Sequence, residues 1–159
     1  MAERILTDEM IAEINEFVSR YPSKQAATVP ALHIVNEKLR CVPRQAVVEI
    51  AQILELHPSQ VQDTLTFYGY FKQDKPGGNC RVWVCRSIAC ALRGADELLE
   101  HMEHKLHVKA GETTADGRIS LEYAECLGAC EHAPCILAGD DLHKSVSQEQ
   151  ADKLMAGIK

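Results

Sequence analysis

Four cysteines, set as Cys85-x4-Cys90 and Cys126-x3-Cys130, have the type and spacing to do chemistry as a group. Two close pairs delivered by two loops can converge on a 2Fe-2S cluster. Each iron of such a cluster takes two inorganic sulfides and two thiolates in a tetrahedron, so four cysteines complete both irons with no other ligand type. The chemistry that follows is one-electron transfer. Zinc is the competing metal, because its structural sites favour C-x2-C knuckles but accept spacings up to x4.

Spacing alone leaves other cysteines in play, since Cys80 stands before Cys85 and Cys135 after Cys130 at similar intervals. If 80–85 is extended, Cys80 lies about 16 Å from Cys85 at roughly 3.3 Å per residue, at the opposite end of a strand from the loop. It cannot then share a cluster with Cys85. Cys85 and Cys90 flank Arg86-Ser87-Ile88-Ala89, a strand-to-helix loop whose amides and helix N-terminus can face a negative cluster and donate to its sulfurs. Leu127-Gly128-Ala129 between the other pair includes two small residues, which lets the backbone fold closely around a metal. Cys135 reads as a small buried residue at the start of a strand rather than a ligand, and Cys41 as an ordinary buried thiol.

The elements that must position these loops change character along the chain. Residues 1–72 read as helices in series. Thr7 can cap the first, with Asp8 and Glu9 in its first turn and Met10, Ile11, Ile14, Phe17 and Val18 as its apolar stripe, stopping near Tyr21-Pro22. The second carries Ala31, Leu32, Val35 and Leu39, with Pro30 tolerable only in its first turn. The third follows Pro43, placed at the first helical position, through Leu54. The fourth begins at His57-Pro58 and carries Val61, Leu65, Phe67, Tyr68 and Phe71. Residues 75–79, Lys-Pro-Gly-Gly-Asn, break every periodicity and form the linker.

Beyond it, Arg81-Val82-Trp83-Val84 is a short strand delivering Cys85, and Ala91 to Leu106 reads as one helix. A strand over 118–124 leads to Cys126. Cys135–Ala138 and Leu142–Val146 form a hairpin, and Ser147 caps a final helix. The expected class is α+β/α/β: an N-terminal helical bundle over 1–74, the linker 75–79, and a thioredoxin-like α/β domain over 80–159 carrying the cluster.

Composition narrows the function classes. The chain has 159 residues, 46% of them apolar, seven cysteines and a net charge of −6. Its start, MAERILTDEM, carries three acids and no apolar signal core, which suggests reduced thiols in a cytoplasmic compartment. No stretch approaches the roughly 18–20 apolar residues of a membrane span, so direct membrane insertion is not expected and any membrane association runs through partner subunits. Both halves carry more acids than bases, against a nucleic-acid binder.

One rival is a metal-containing helix-turn-helix redox regulator, suggested by Val48 to Tyr68. Its recognition helix, with Ser59, Gln60, Gln62, Asp63 and Thr64, has no Lys or Arg for phosphate. A thiol-disulfide oxidoreductase lacks its C-x-x-C. His101, His104 and His107 read as a solvated helix face more readily than a metal patch, and His132 alone cannot make a Rieske centre, which needs two histidines on one iron. No Gly-rich nucleotide cradle is present, so the chain alone should bind neither NADH nor FMN tightly.

Several motifs in order resemble one family: Thr66-Phe67-Tyr68, Cys85-x4-Cys90 running into Leu92-Arg93-Gly94-Ala95, Gly111-Glu112-Thr113-Thr114 before Asp116-Gly117, and Glu125-Cys126-Leu127-Gly128-Ala129-Cys130 before Ala133-Pro134. They resemble, over nearly the whole chain, the 2Fe-2S subunit of NADH-quinone oxidoreductase (the 24 kDa or E subunit of complex I) and its thioredoxin-like ferredoxin relatives. The resemblance implies one 2Fe-2S cluster held by Cys85, Cys90, Cys126 and Cys130, exchanging electrons with the flavin of a partner subunit that also binds NADH, with the helical half docking onto that partner. It implies a non-autonomous part of an NADH dehydrogenase, peripheral to a bacterial inner membrane through its partners. The equivalent subunit of an NAD-linked hydrogenase or formate dehydrogenase diaphorase module is the alternative. A free homodimeric ferredoxin would leave the helical half without a purpose.

Two positions depart from the family pattern. An apolar residue is usual where Cys135 stands, and Thr often follows the first ligand where this chain has Arg86. A positive charge there stabilises the reduced form and raises the potential. Redox titration of Arg86→Thr should therefore give a lower potential than the wild type; an equal or higher one contradicts the charge argument.

Overall fold

A computed structural model describes residues 4–158; residues 1–3 and Lys159, the outer ends of the two expected domains, lie outside the described residues. The chain divides into two compact units between Pro76 and Gly77.

The first unit is all-helical. Helix α1 (Asp8–Arg20) starts where Thr7 Oγ1 accepts the Met10 N–H at 3.2 Å, and it buries Met10 and Ile14. A short 3-10 turn over Lys24–Ala27, capped by Ser23, leads into α2 (Thr28–Leu39). Pro30 falls in the first turn of α2, where no intrahelical N–H is needed. Pro43 proves to be the cap before α3 (Arg44–Leu54) rather than its first residue, a shift of one position. Helix α4 (Pro58–Phe67) opens with the His57 N–H donating to Gln60 Oε1 at 2.9 Å. It ends earlier than the stripe through Phe71 suggests. Tyr68 is already extended, and Phe71 is buried by the returning chain, with its ring edge-on to His33 at 5.0 Å. That chain is tied down as the Val42 N–H donates to Lys72 O (2.7 Å) and the Arg44 N–H to Asp74 Oδ1 (2.8 Å).

Leu32, Val35, Ile50, Leu54, Val61 and Leu65 fill the core between these helices. One carboxylate reaches it. Glu49 is 8% exposed, and its two oxygens accept the backbone N–H groups of Ile5 (2.9 Å) and Leu6 (2.8 Å), fixing the entry to α1.

The second unit is a mixed four-stranded sheet of order β2-β1-β3-β4 with helices between and after its strands. Strand β1 (Cys80–Cys85) runs parallel to β2 (Ile119–Ala124) and antiparallel to β3 (Ile136–Ala138), which turns at Gly139-Asp140 into β4 (Asp141–His143). The hairpin is shorter at its open end than its sequence pattern suggests, starting at Ile136 and ending at His143, while β4 begins one residue sooner, at Asp141. Val82, Val84, Ile119 and Leu121 point to one face and meet Leu98 and Met102 of α6 (Ala95–Leu106) and Met155 of α7 (Gln148–Gly157). On the opposite face Arg81 grips Glu122 with two bonds (Nε–Oε1 2.7 Å, Nη2–Oε2 3.0 Å), and its guanidinium lies 4.5 Å from the Trp83 ring centroid. The Gly78 N–H donates to Ser120 Oγ at 2.8 Å, and a Cβ at Gly78 would sit 2.7 Å from the backbone of Ile119 and Ser120, so only glycine allows this approach.

The helix expected over 91–106 begins later, at Ala95, and a separate turn of helix precedes it. Helix α5 (Ile88–Ala91) is one turn; Gly94, at φ 86°, breaks the path and α6 starts afresh at Ala95. The α6 and α7 helices are joined by His101 Nε2 and Asp152 Oδ1 at 2.8 Å, with Lys105 on the other oxygen at 3.1 Å.

Glu49→Ala orphans two backbone donors. With hydrogen bonds to a charged group worth about 1.5–3 kcal/mol each, urea unfolding should show a loss of about 3–6 kcal/mol for the two, and Glu49→Gln, which keeps one acceptor oxygen, about half of that.

Candidate metal centre

The site begins with strand register. In the parallel pair, Cys85 stands opposite Ala124 as the last paired residues of β1 and β2. Both strands therefore release their loops at the same, C-terminal edge of the sheet, where open α/β sheets place ligands. The Arg86 N–H donates to Ala124 O at 2.9 Å, carrying the pairing one step into the loops.

From the first strand, Cys85 is buried and its N–H donates to Cys135 O at 3.1 Å. Cys90 sits in the single turn of α5 and is equally buried. Burial, and then the neighbouring Cys85 thiol, push the Cys90 thiol up to about 11. From the second strand, Cys126 and Cys130 are exposed. Gly128, at φ 74°, turns its N–H onto Cys126 Sγ at 3.4 Å, and this bond holds the Cys126 thiol below its ordinary range. The neighbouring Cys130, Ser87 and Cys85 side chains lower the Cys126 thiol further. The charge on Cys126 in turn raises the Cys130 thiol.

The four cysteines singled out by spacing are thus brought to one edge, two inside and two outside. Cys80 lies at the far end of β1, and Cys41 is buried in the first unit. Cys135 is closer to the group than its sequence context suggests. It is buried with Cys85, Cys90, Ala95, Ala129 and Ala133, and its thiol donates to His132 O (3.1 Å) and Ala129 O (3.4 Å), closing the turn that carries Cys130. Burial raises that thiol as well.

Among the described residues, no three His, Cys, Asp or Glu side chains converge as ligands of a single metal ion do. A two-iron cluster asks for a different arrangement, with two thiolates on each iron and sulfides between. An all-sulfur donor set, a backbone N–H already aimed at one sulfur and an apolar floor of alanines and Leu127 fit that group.

In sequence, Arg86 adds a positive charge beside the first cysteine pair. The structure pairs it with Glu125, the residue before Cys126, through Nε–Oε2 at 3.3 Å and a second contact from Nη2 to Oε1. Its guanidinium carbon lies 3.8 Å from the Tyr123 ring centroid. The signal available in sequence was an acid placed one residue before the second cysteine pair, readable as a partner only once the strands are known to be parallel and adjacent.

Comparison with known proteins agrees with the fold. The thioredoxin-like 2Fe-2S ferredoxin family matches residues 14–159. The chain is 37% identical to the E 2 subunit of NADH-quinone oxidoreductase from Rhizobium meliloti (strain 1021), over 94% of this chain and 89% of that one. It is 32% identical to the E subunit of NADH-quinone oxidoreductase from Aquifex aeolicus (strain VF5), over 94% and 92%. It is 28% identical to the HndA subunit of the NADP-reducing hydrogenase from Solidesulfovibrio fructosivorans, over 96% and 88%. Among solved structures, a chain of NAD+-reducing NiFe-hydrogenase in the H2-reduced state shares its fold at a TM-score of 0.68 and 21% identity, covering 79% of this chain and 21% of that longer one. On the strength of the match across residues 14–159, the chain belongs to the thioredoxin-like 2Fe-2S ferredoxin family.

Proposed function

We propose that Cys85, Cys90, Cys126 and Cys130 hold one 2Fe-2S cluster, and that the chain is the electron-transfer subunit that exchanges electrons with the flavin of an NADH-binding partner in NADH-quinone oxidoreductase. The observation that carries this reading is the Cys85–Ala124 register, which opens both cysteine loops at one edge of the sheet. When bound, such a cluster supplies reversible one-electron chemistry. The protein's own groups do the rest. Buried Cys85 and Cys90 keep water from the inner side, exposed Cys126 and Cys130 leave the outer side open to a donor, and the Gly128 N–H bonds a ligand sulfur.

The helical unit is assigned to docking on that partner. Among the described residues no helix is long and apolar enough to cross a membrane, in keeping with attachment to the inner membrane through partner subunits. The second reading, a subunit of an NAD(P)-linked hydrogenase, is favoured by the likeness to the HndA subunit of the NADP-reducing hydrogenase over almost the whole chain. The two readings share the cluster and differ in the complex that co-purifies with the chain.

Single Cys→Ser variants test the ligand set. Iron and acid-labile sulfide, measured on the purified full chain, should be lost in Cys85→Ser, Cys90→Ser, Cys126→Ser and Cys130→Ser and retained in Cys80→Ser and Cys135→Ser. Retention in any of the first four, or loss with Cys80→Ser, contradicts the assignment.

A further inference from the structure

Arg86 and Glu125 are placed one residue after the first cysteine of one pair and one residue before the first cysteine of the other, just past the ends of adjacent parallel strands. Their side chains meet in a two-pronged contact, with the Arg86 guanidinium seated on Tyr123. An ordinary exposed ion pair contributes little, because two long side chains must be held still against solvent. This one is held on three sides. The carboxylate engages the guanidinium fork at both oxygens, the Tyr123 ring lies against its face, and the Arg86 backbone N–H is anchored on Ala124 O.

We propose that Glu125 and Arg86 act as a compensating charge pair that sets the reduction potential of the site, with Glu125 cancelling most of the field that Arg86 alone would exert. The inference rests on the cluster reading above. Its physical basis is the distance dependence of the Coulomb interaction. Two opposite charges in contact act on the cysteines beside them in sequence as a dipole, and removing either leaves a monopole one residue from a cysteine. Uncompensated Arg86 stabilises the electron-rich reduced form, whereas uncompensated Glu125 opposes it. Glu125 and Arg86 thus act through their field at the sulfurs.

A tether between the two loops would use the same contacts, so the test must separate charge from geometry. Potentiometric titration followed by EPR, with iron and sulfide content measured on each full-length protein, should show a higher potential for Glu125→Gln and a lower one for Arg86→Gln. The double glutamine variant should return close to the wild type, and the single shifts should shrink in high salt as screening rises. Arg86→Lys and Glu125→Asp keep the charges while altering geometry, and they should titrate near the wild type. Shifts of the same sign in both glutamine variants, no shift in either, or equal shifts in the charge-conserving variants would overturn the proposal. Loss of iron and sulfide from the glutamine variants would overturn it too, since the pair would then be a tether. Absence of iron and sulfide from the wild type would instead remove the cluster reading and this inference with it.

Discussion

The site depends on one constraint, the parallel register of β1 and β2. Because Cys85 pairs with Ala124, the two loops leave the sheet side by side and in the same direction. A side-chain period of two means that a slip of one residue would turn every side chain of a strand to the other face. Such a slip would expose Val82 and Val84 and carry Cys85 away from Cys126. The hydrophobic face shared with α6 and α7 therefore fixes the geometry of the cysteines as well as the stability of the second unit. On the other face the Arg81–Glu122 bridge and the Gly78 contact with β2 specify the same register in polar groups.

Around that edge the protein builds an inside and an outside. Cys85, Cys90 and Cys135 are packed among alanines, while Cys126 and Cys130 face solvent. The thiols respond accordingly, with Cys90 raised by burial and Cys126 lowered by the Gly128 N–H. Cys135 belongs to the support of this arrangement. Its carbonyl receives the Cys85 N–H and its thiol closes the 129–132 turn, so one residue braces both loops. A relative with an apolar side chain here would keep the first of those bonds and lose the second.

Features set by local chemistry were legible in the sequence. Thr7 and Ser147 announce helix starts because a short hydroxyl side chain reaches the free N–H groups of a first turn, and both do so. The strand into Cys85 and the thioredoxin-like order of elements were legible for the same reason. The break between α5 and α6 was hidden because Leu92, Ala95 and Leu98 keep helical spacing across Gly94, and only the backbone angle of that glycine reveals the stop. The early end of α4 was hidden by Phe71, an apolar residue at helical spacing that is buried by a turn instead. Pairings across strands lay furthest from view. Nothing local to Arg86 announces Glu125, 39 positions away, or says that Cys135 will reach Ala129 and His132.

Spacing proposes two cysteine pairs, register brings them to one edge, and a charge pair flanks them there. Electron transfer by this chain requires that edge to carry a two-iron, two-sulfide cluster. EPR spin counting on the dithionite-reduced, purified chain decides the point. One unpaired spin for each pair of irons is expected, with acid-labile sulfide equal to iron. Tightly bound zinc without sulfide, and no spin on reduction, would contradict it.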